Sequence, residues 1–317
     1  MEVVRIDGID PEWDRFVWDS PGGTIFHTLK FLSYHPLSRF DFVNLAMRKA
    51  GRLVCVIPGG RVDAGGRALY RSPVGASFGG FVFAGNQSLK TVFEAVGVFI
   101  DHLKESGFAA AEITLPPGCY SESGDQALGF AMASSGFETL SREATAVVPL
   151  GAAGPENLAP SVRRNLRRAE ESGIRVKTGG ATGPFYEILA ANLAAKGATP
   201  THTAEELQRL IDLFPKRILL FEGWLDDRLV GGCLSLICNQ RSALVFYICD
   251  HPDFRRFRVA EFVLHGCLVW FKEQGYTYLD LGTISIDGQV NWGLARFKSK
   301  FMAETYVREK YVLRLKE

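Results

Sequence analysis

Residues 260–282 read AEFVLHGCLVWFKEQGYTYLDLG. Apolar positions at helical spacing run to Gly275, which suits the left-handed position just past a helix end. Tyr276 follows, and an apolar strand then reaches Asp280, five positions after the glycine. The same order occurs at 89–115, LKTVFEAVGVFIDHLKESGFAAAEITL, with Gly107, Phe108 and Glu112 in the matching places. Each copy is preceded by a strand hairpin. LAMRKAGRLVCVIP (45–58) turns at Lys49 to Gly51, and ILLFEGWLDDRLVGGCLSLIC (218–238) turns at Asp226-Asp227. The tripeptide Arg-Leu-Val recurs at 52–54 and 228–230. A hairpin, a helix stop and a strand-borne acid in one order, twice, point to duplication of a single unit.

The join falls in PLGAAGPENLAP (149–160), rich in Gly, Ala and Pro and unable to continue either element. We therefore expect an α/β (α+β) protein of two tandem domains, 1–152 and 153–317, built on mixed, mainly antiparallel sheets. Strands that come in hairpins rather than in βαβ alternation disfavour a doubly wound nucleotide fold.

Apolar residues at 47% and charged residues at 22% give the balance of a chain with sizeable cores. A net charge of +1 argues against a general affinity for nucleic acid or anionic membrane, so only local clusters matter. The opening MEVVRIDGIDPEWDRF has no basic region followed by an apolar run, and no apolar stretch reaches membrane-spanning length. A cytoplasmic location is the expectation. The six cysteines fall in apolar runs without a CxxC pair and read as buried thiols; no His or Cys spacing suggests a metal site.

Two glycine motifs carry no chemistry. Gly75-Ala76-Ser77-Phe78-Gly79 matches a nucleophile elbow, but a strand-like run follows it where a helix is required. GGRVDAGG (59–66) lacks a phosphate-loop lysine and reads as a hairpin loop. Just before the second amphipathic helix, Arg255-Arg256-Phe257-Arg258-Val259-Ala260 fits the CoA-binding pattern [RQ]-x-x-G-x-[GA], except that Arg258 stands where glycine allows close backbone approach to a pyrophosphate. Arg255 and Arg258 remain able to grip phosphate by side chain.

SVRRNLRRAEESGIR (161–175) holds five arginines. Ser161 suits an N-cap and Gly173 a stop; Val162, Leu166 and Ala169 form the apolar face. Glu170 and Glu171 sit where they can partly neutralise Arg167 and Arg168. A solvated helix is one reading; a phosphate grip through Arg164 and Arg168 is the other.

This stretch resembles the segment that opens the second domain of FemAB-like transferases. GYTYLDLGTIS (275–285) and GLARFKSKFMAE (293–304) are similar to that family's later strand and its Phe-Lys-x-x-Phe signature, in the same order. The signature often continues Gly-Gly where this chain has Met302-Ala303. The resemblance implies two tandem GNAT-like (N-acyltransferase) domains and acyl transfer to an amine, often from aminoacyl-tRNA to a peptidoglycan precursor. It also implies that Phe297 and Lys298 lie at the active site, the ammonium supporting a reacting oxyanion.

The leading expectation is an acyl- or aminoacyltransferase forming an amide on a cell-envelope or surface-polymer precursor. Lys298 would act as oxyanion stabiliser, Asp280 as amine-orienting group, proton acceptor or structural strand-end residue, and Arg164, Arg168, Arg255, Arg258 and Phe297 as binding groups. Acyl-CoA or aminoacyl-tRNA would be the donor substrate, with no permanently bound cofactor and no metal; a lipid- or nucleotide-linked precursor and tRNA are the expected partners. The first half has no counterpart of Phe297-Lys298, so it is expected to be scaffold. The alternatives are an acetyl-CoA-dependent N-acetyltransferase of a small amine and a non-catalytic protein gripping RNA through Arg163 to Arg168.

Overall fold

The computed structural model describes residues 1–36, 38–122, 126–195 and 197–315, with the side chain of Pro155 excepted. The chain divides into two compact units, Met1–Glu143 with Val307–Glu317, and Ala144–Tyr306.

In the first unit the expected hairpin forms between β1 (Asn44–Lys49) and β2 (Arg52–Ile57), with Ala50 and Gly51 both at positive φ in the turn. That pair of angles matches the right-handed twist of the flanking strands. Helix α1 (Leu89–Glu105) buries Val92, Ala95, Val96, Phe99 and Leu103, one face at helical spacing, in the core with Leu45, Met47 and Ile113. Gly107 then takes φ 71, and β3 (Ala110–Thr114) follows. GGRVDAGG does form a hairpin, but its reading as loop is corrected for its first half: Gly60–Asp63 is a strand antiparallel to Ala68–Ser72, and residues 64–67 make the turn. No helix follows Ser77; the next element is the strand Val82–Phe83.

Strand β4 (Glu138–Pro149) leads into the second unit. There α2 (Pro160–Glu171) precedes β5 (Ile174–Gly179), and α3 (Thr182–Ala194) and a further helix, Ala204–Leu213, follow. Then β6 (Ile218–Leu225), β7 (Arg228–Ile237) and β8 (Ser242–Asp250) form an antiparallel meander with β5 on its edge. Helix α4 (Val259–Glu273) returns the chain to β9 (Tyr278–Thr283), parallel to β8 and antiparallel to the end of β4. Helix α5 (Trp292–Ser299) and β10 (Glu304–Arg314) complete the order.

Successive strand residues face opposite ways, and Gly231 and Gly232 show what lies on each side. A Cβ at Gly231 would sit 2.7 Å from Val259 of α4; one at Gly232 would sit 2.7 Å from the Phe185 ring of α3. The meander therefore lies between the two helices, each drawn close by the lack of a side chain. Val259, Val263, Leu264, Cys267, Leu268 and Phe271 of α4 complete that core. All six cysteines are free thiols and buried.

Two readings of the arginine helix are corrected. Pro160 opens α2 with Ala159 as N-cap, so Ser161 is already inside the first turn and caps nothing. The proline ring fixes φ for a helix start and lacks an N–H that would be unpaired there anyway. Glu170 and Glu171 also fail to neutralise their neighbours: among the described residues neither pairs with an arginine of this helix.

Candidate active site

Strands β8 and β9 are hydrogen-bonded only where Ser242–Leu244 meets Tyr278–Asp280. Beyond this point β8 continues to Asp250 without β9 beside it, and a pocket of about 650 Å³ opens in the second unit. Ile248, Cys249 and Asp250 supply its strand wall, Arg255 and Ala260 come from the turn into α4, Asn192 from α3, and Leu294 and Phe297 from α5.

The turn into α4 answers the question raised by Arg258. Its φ and ψ are 63° and 38°, the left-handed conformation glycine adopts without strain. The backbone path that the glycine pattern calls for is thus kept by an arginine, at a cost of roughly 1 kcal/mol. The first intrahelical bond runs from Phe262 N–H to Arg258 C=O at 3.1 Å, so the amides of Val259, Ala260 and Glu261 precede the helix ladder, where N–H groups face an anion readily. The same substitution of conformation occurs at Met302, φ 62, in the place of a family glycine. Both positions thus keep the left-handed backbone of the glycine they replace.

A short polar chain fixes the pocket wall. Asn192, buried on α3, donates through Nδ2 to Asp250 O at 3.0 Å and to Asp250 Oδ1 at 3.1 Å. Arg255 Nε lies 3.5 Å from that same Oδ1, so its guanidinium is drawn to the pocket rim. Asn192 was not anticipated from sequence; a lone amide inside ILAANLAA was the signal available. On the neighbouring β8 position, Tyr247 OH lies 2.6 Å from Thr201 Oγ1 and 3.0 Å from His202 Nδ1. Burial pushes the Tyr247 hydroxyl upward in pKa, against the hydrogen bonds it receives.

Asp280 and Lys298 meet at the end of β9. Asp280 is fully buried and accepts from Thr145 Oγ1 at 2.5 Å and from Gly282 N–H at 2.8 Å. Lys298, buried on α5, donates through Nζ to Gly282 O at 2.8 Å and Thr283 O at 2.9 Å. Gly282 itself sits at φ 84, and the ladder between β9 and β4 shifts register here, between Asp280 and Thr283. Phe297, next to Lys298, faces the pocket and packs against Phe301 at 5.6 Å between ring centroids. Of the residues expected from sequence, Arg255 and Phe297 thus line the pocket, Arg258 shapes the turn beside it, and Asp280 and Lys298 brace the strand end. Arg164 and Arg168 are not in its wall; they are exposed on α2 with Arg163 and Arg167.

Among the described residues no group of three His, Cys, Asp or Glu side chains is placed to hold a metal, and no helix is long and apolar enough to cross a membrane.

Comparison with known proteins agrees with this geometry. Residues 158–299 match the family model for an acetyltransferase (GNAT) domain. In fold, the chain is similar to the crystal structure of FemX, with a TM-score of 0.75, 17% identity, and 99% of this chain and 98% of that one covered. It is also similar to the C-terminal domain of a putative lysylphosphatidylglycerol synthetase from Agrobacterium fabrum (TM-score 0.63, 13% identity, 95% and 90% covered). A third likeness is to a tandem GNAT protein from the clavulanic acid biosynthesis pathway (TM-score 0.57, 13% identity, 100% and 99% covered). No curated protein sequence matches. The fold is the tandem GNAT arrangement, and the FemAB-like resemblance read from the sequence holds at that level. The chain is GNAT-fold and acyltransferase-like.

Proposed function

We propose that the protein transfers an acyl or aminoacyl group to an amine of a cell-envelope or surface-polymer precursor, forming an amide. The observation that carries this reading is the pocket where β8 and β9 part, because an extended thioester or ester arm can lie against the unpaired edge of β8. Donor phosphates then meet the first amides of α4 and the guanidinium of Arg255, and Arg258 adds charge at the turn. The acceptor amine attacks the donor carbonyl, the carbonyl oxygen becomes an oxyanion, and collapse expels the thiolate or the ribose oxygen, which takes up the proton that the amine sheds.

Lys298 serves as the fixed cation for that oxyanion, its side chain aimed by the carbonyls of Gly282 and Thr283. Asp280 acts as a positioning residue. Its hydrogen bonds from Thr145 and Gly282 hold β9 and Gly282 in place, which supports the structural reading. An acetyl-CoA donor gains support from Arg258, whose backbone keeps the glycine conformation of the CoA-binding pattern.

The test is transfer itself. The purified chain is offered acetyl-CoA, or tRNA charged with mixed amino acids, together with nucleotide- and lipid-linked peptidoglycan precursors, and products are read by mass spectrometry. An acylated amine formed from either donor, and lost in Lys298→Met, is the expected result. A folded chain that transfers from neither donor overturns the proposal.

A further inference from the structure

The arginines of α2 lie away from the pocket, and they form a surface of their own. At 100° per residue, Arg163, Arg164, Arg167 and Arg168 span the arc opposite the buried Val162 and Ala169. All four are exposed. Arg163 Nη1 donates to the Glu156 carbonyl at 3.2 Å, and among the described residues none of the four forms an ion pair. With Pro160 and Glu171 they bound a shallow depression of about 600 Å³. A nearly neutral chain thus concentrates four guanidinia on one outward helix face, which Glu171 shares without forming an ion pair among the described residues.

The start of α2 adjoins the end of α5, since Ala159 N–H donates to Lys300 O at 3.2 Å. The segment leading into α5 exposes Ile286, Val290, Trp292 and Leu294, and among the described residues this is the densest run of exposed large apolar side chains. Trp292 is 75% exposed, and Arg296, one helical turn on, is exposed as well.

We propose that this face docks the protein on an anionic lipid surface, with the α2 guanidinia on headgroup phosphates and the Trp292 segment entering the interface. Stable membrane attachment takes two signals, and the α2 guanidinia together with an exposed tryptophan supply both. Planar guanidinium forks match phosphate oxygens, and four spread around one convex helix face exceed what a single phosphate can occupy. Single-stranded RNA is served less well: binders of that class interleave cations with stacking aromatics along a groove, and the α2 face carries no aromatic side chain. Docking of this kind brings the second unit to the bilayer without any helix that crosses it.

Flotation of the purified full chain with vesicles tests this. Vesicles of equal parts phosphatidylglycerol and phosphatidylcholine should carry the protein upward at low salt and release it at high salt; phosphatidylcholine alone should not carry it. Arg164→Gln with Arg168→Gln should weaken binding about 30-fold, from roughly fivefold per arginine near an anionic surface. Trp292→Ser should weaken it separately. These positions are exposed, so an unchanged unfolding midpoint confirms that the variants fold. No flotation at low salt, or unchanged flotation of the double variant, overturns the proposal. So does mixed-sequence RNA that binds in place of the vesicles and is lost with the same two arginines. The readout is binding, so acyl transfer by Arg164→Gln/Arg168→Gln to a soluble acceptor tells failure of docking apart from failure of the catalytic reading.

Discussion

Asp280 and Lys298 hold the two ends of one residue. The carboxylate accepts the N–H of Gly282 at 2.8 Å, and the ammonium donates to its C=O at 2.8 Å. The glycine that both define sits at φ 84. The end of β9 is therefore set by an acid from the sheet and a base from α5.

This arrangement predicts different outcomes for the two side chains. Lys298→Met keeps the length of a buried chain but leaves the carbonyls of Gly282 and Thr283 without their donor, costing about 1–3 kcal/mol in urea unfolding. Loss of a preorganised cation at the oxyanion should lower turnover by about 100-fold or more. Asp280→Asn should destabilise by a comparable amount and lower turnover far less. Equal losses of turnover in both variants would assign Lys298 the same bracing role as Asp280.

Arg258→Gly and Met302→Gly should each stabilise the chain or leave it unchanged, because both sites already have the left-handed backbone that glycine adopts freely. A gain of roughly 0.5–1 kcal/mol, read as a higher unfolding midpoint, is expected. Arg258→Val should do the opposite, since a β-branched residue resists positive φ. For Arg258→Gly, weaker CoA binding alongside greater stability would separate the side chain's charge from the shape of its turn.

These two positions also mark how much a sequence can show. The hairpins, α1, α4 and the strands after them were legible because periodicity and turn residues are local properties, and Gly107 and Gly275 do end their helices with φ 71 and 82. The left-handed backbone at Arg258 and Met302 was not legible, because a residue's usual φ says little about its φ in a particular turn; packing around the turn fixes the backbone whatever side chain it carries. Neutralisation of α2 by Glu170 and Glu171 was inferred from spacing, but an exposed pair gains little over water, and long side chains need not meet. Asn192 and Thr145 escaped notice because each matters only through a partner far along the chain, Asp250 and Asp280 respectively.

Gly231 is the point where β7 meets the first turn of α4. An alanine Cβ would lie 2.7 Å from Val259 Cγ1 and 2.9 Å from the Cys249 carbonyl, and the carbonyl cannot move without shifting β8. Gly231→Ala should cost about 1–3 kcal/mol and lower the unfolding midpoint. Because Cys249 lines the pocket, and Ala260 beside Val259 does too, donor affinity should fall with it. Gly97, with nothing within 4 Å of its Cβ position in the middle of α1, is the control: Gly97→Ala should stabilise by about 1 kcal/mol.

The first unit has its own pH dependence, carried by His27. The ring is fully buried, with Nδ1 accepting from Thr24 N–H at 3.2 Å and lying 2.7 Å from Thr24 Oγ1. Burial, which opposes the charged form, draws its pKa down to about 4 despite hydrogen bonds that act the other way. In the unfolded chain the same imidazole titrates near about 6.5. Between those two values the unfolded state binds a proton that the folded state refuses, so stability falls as the solution is acidified through that window and is fully present above it. The whole shift corresponds to roughly 3 kcal/mol, reached only at the acid end. Urea unfolding of the wild type and of His27→Gln should therefore be compared from about pH 7 to about pH 4, because glutamine can accept the Thr24 N–H but does not titrate. The wild type should be the more stable of the two at neutral pH, and its advantage should shrink by up to roughly 3 kcal/mol on acidification. Parallel profiles for the two proteins would mean that His27 is protonated without opening its pocket, and that the acid sensitivity of this unit lies elsewhere.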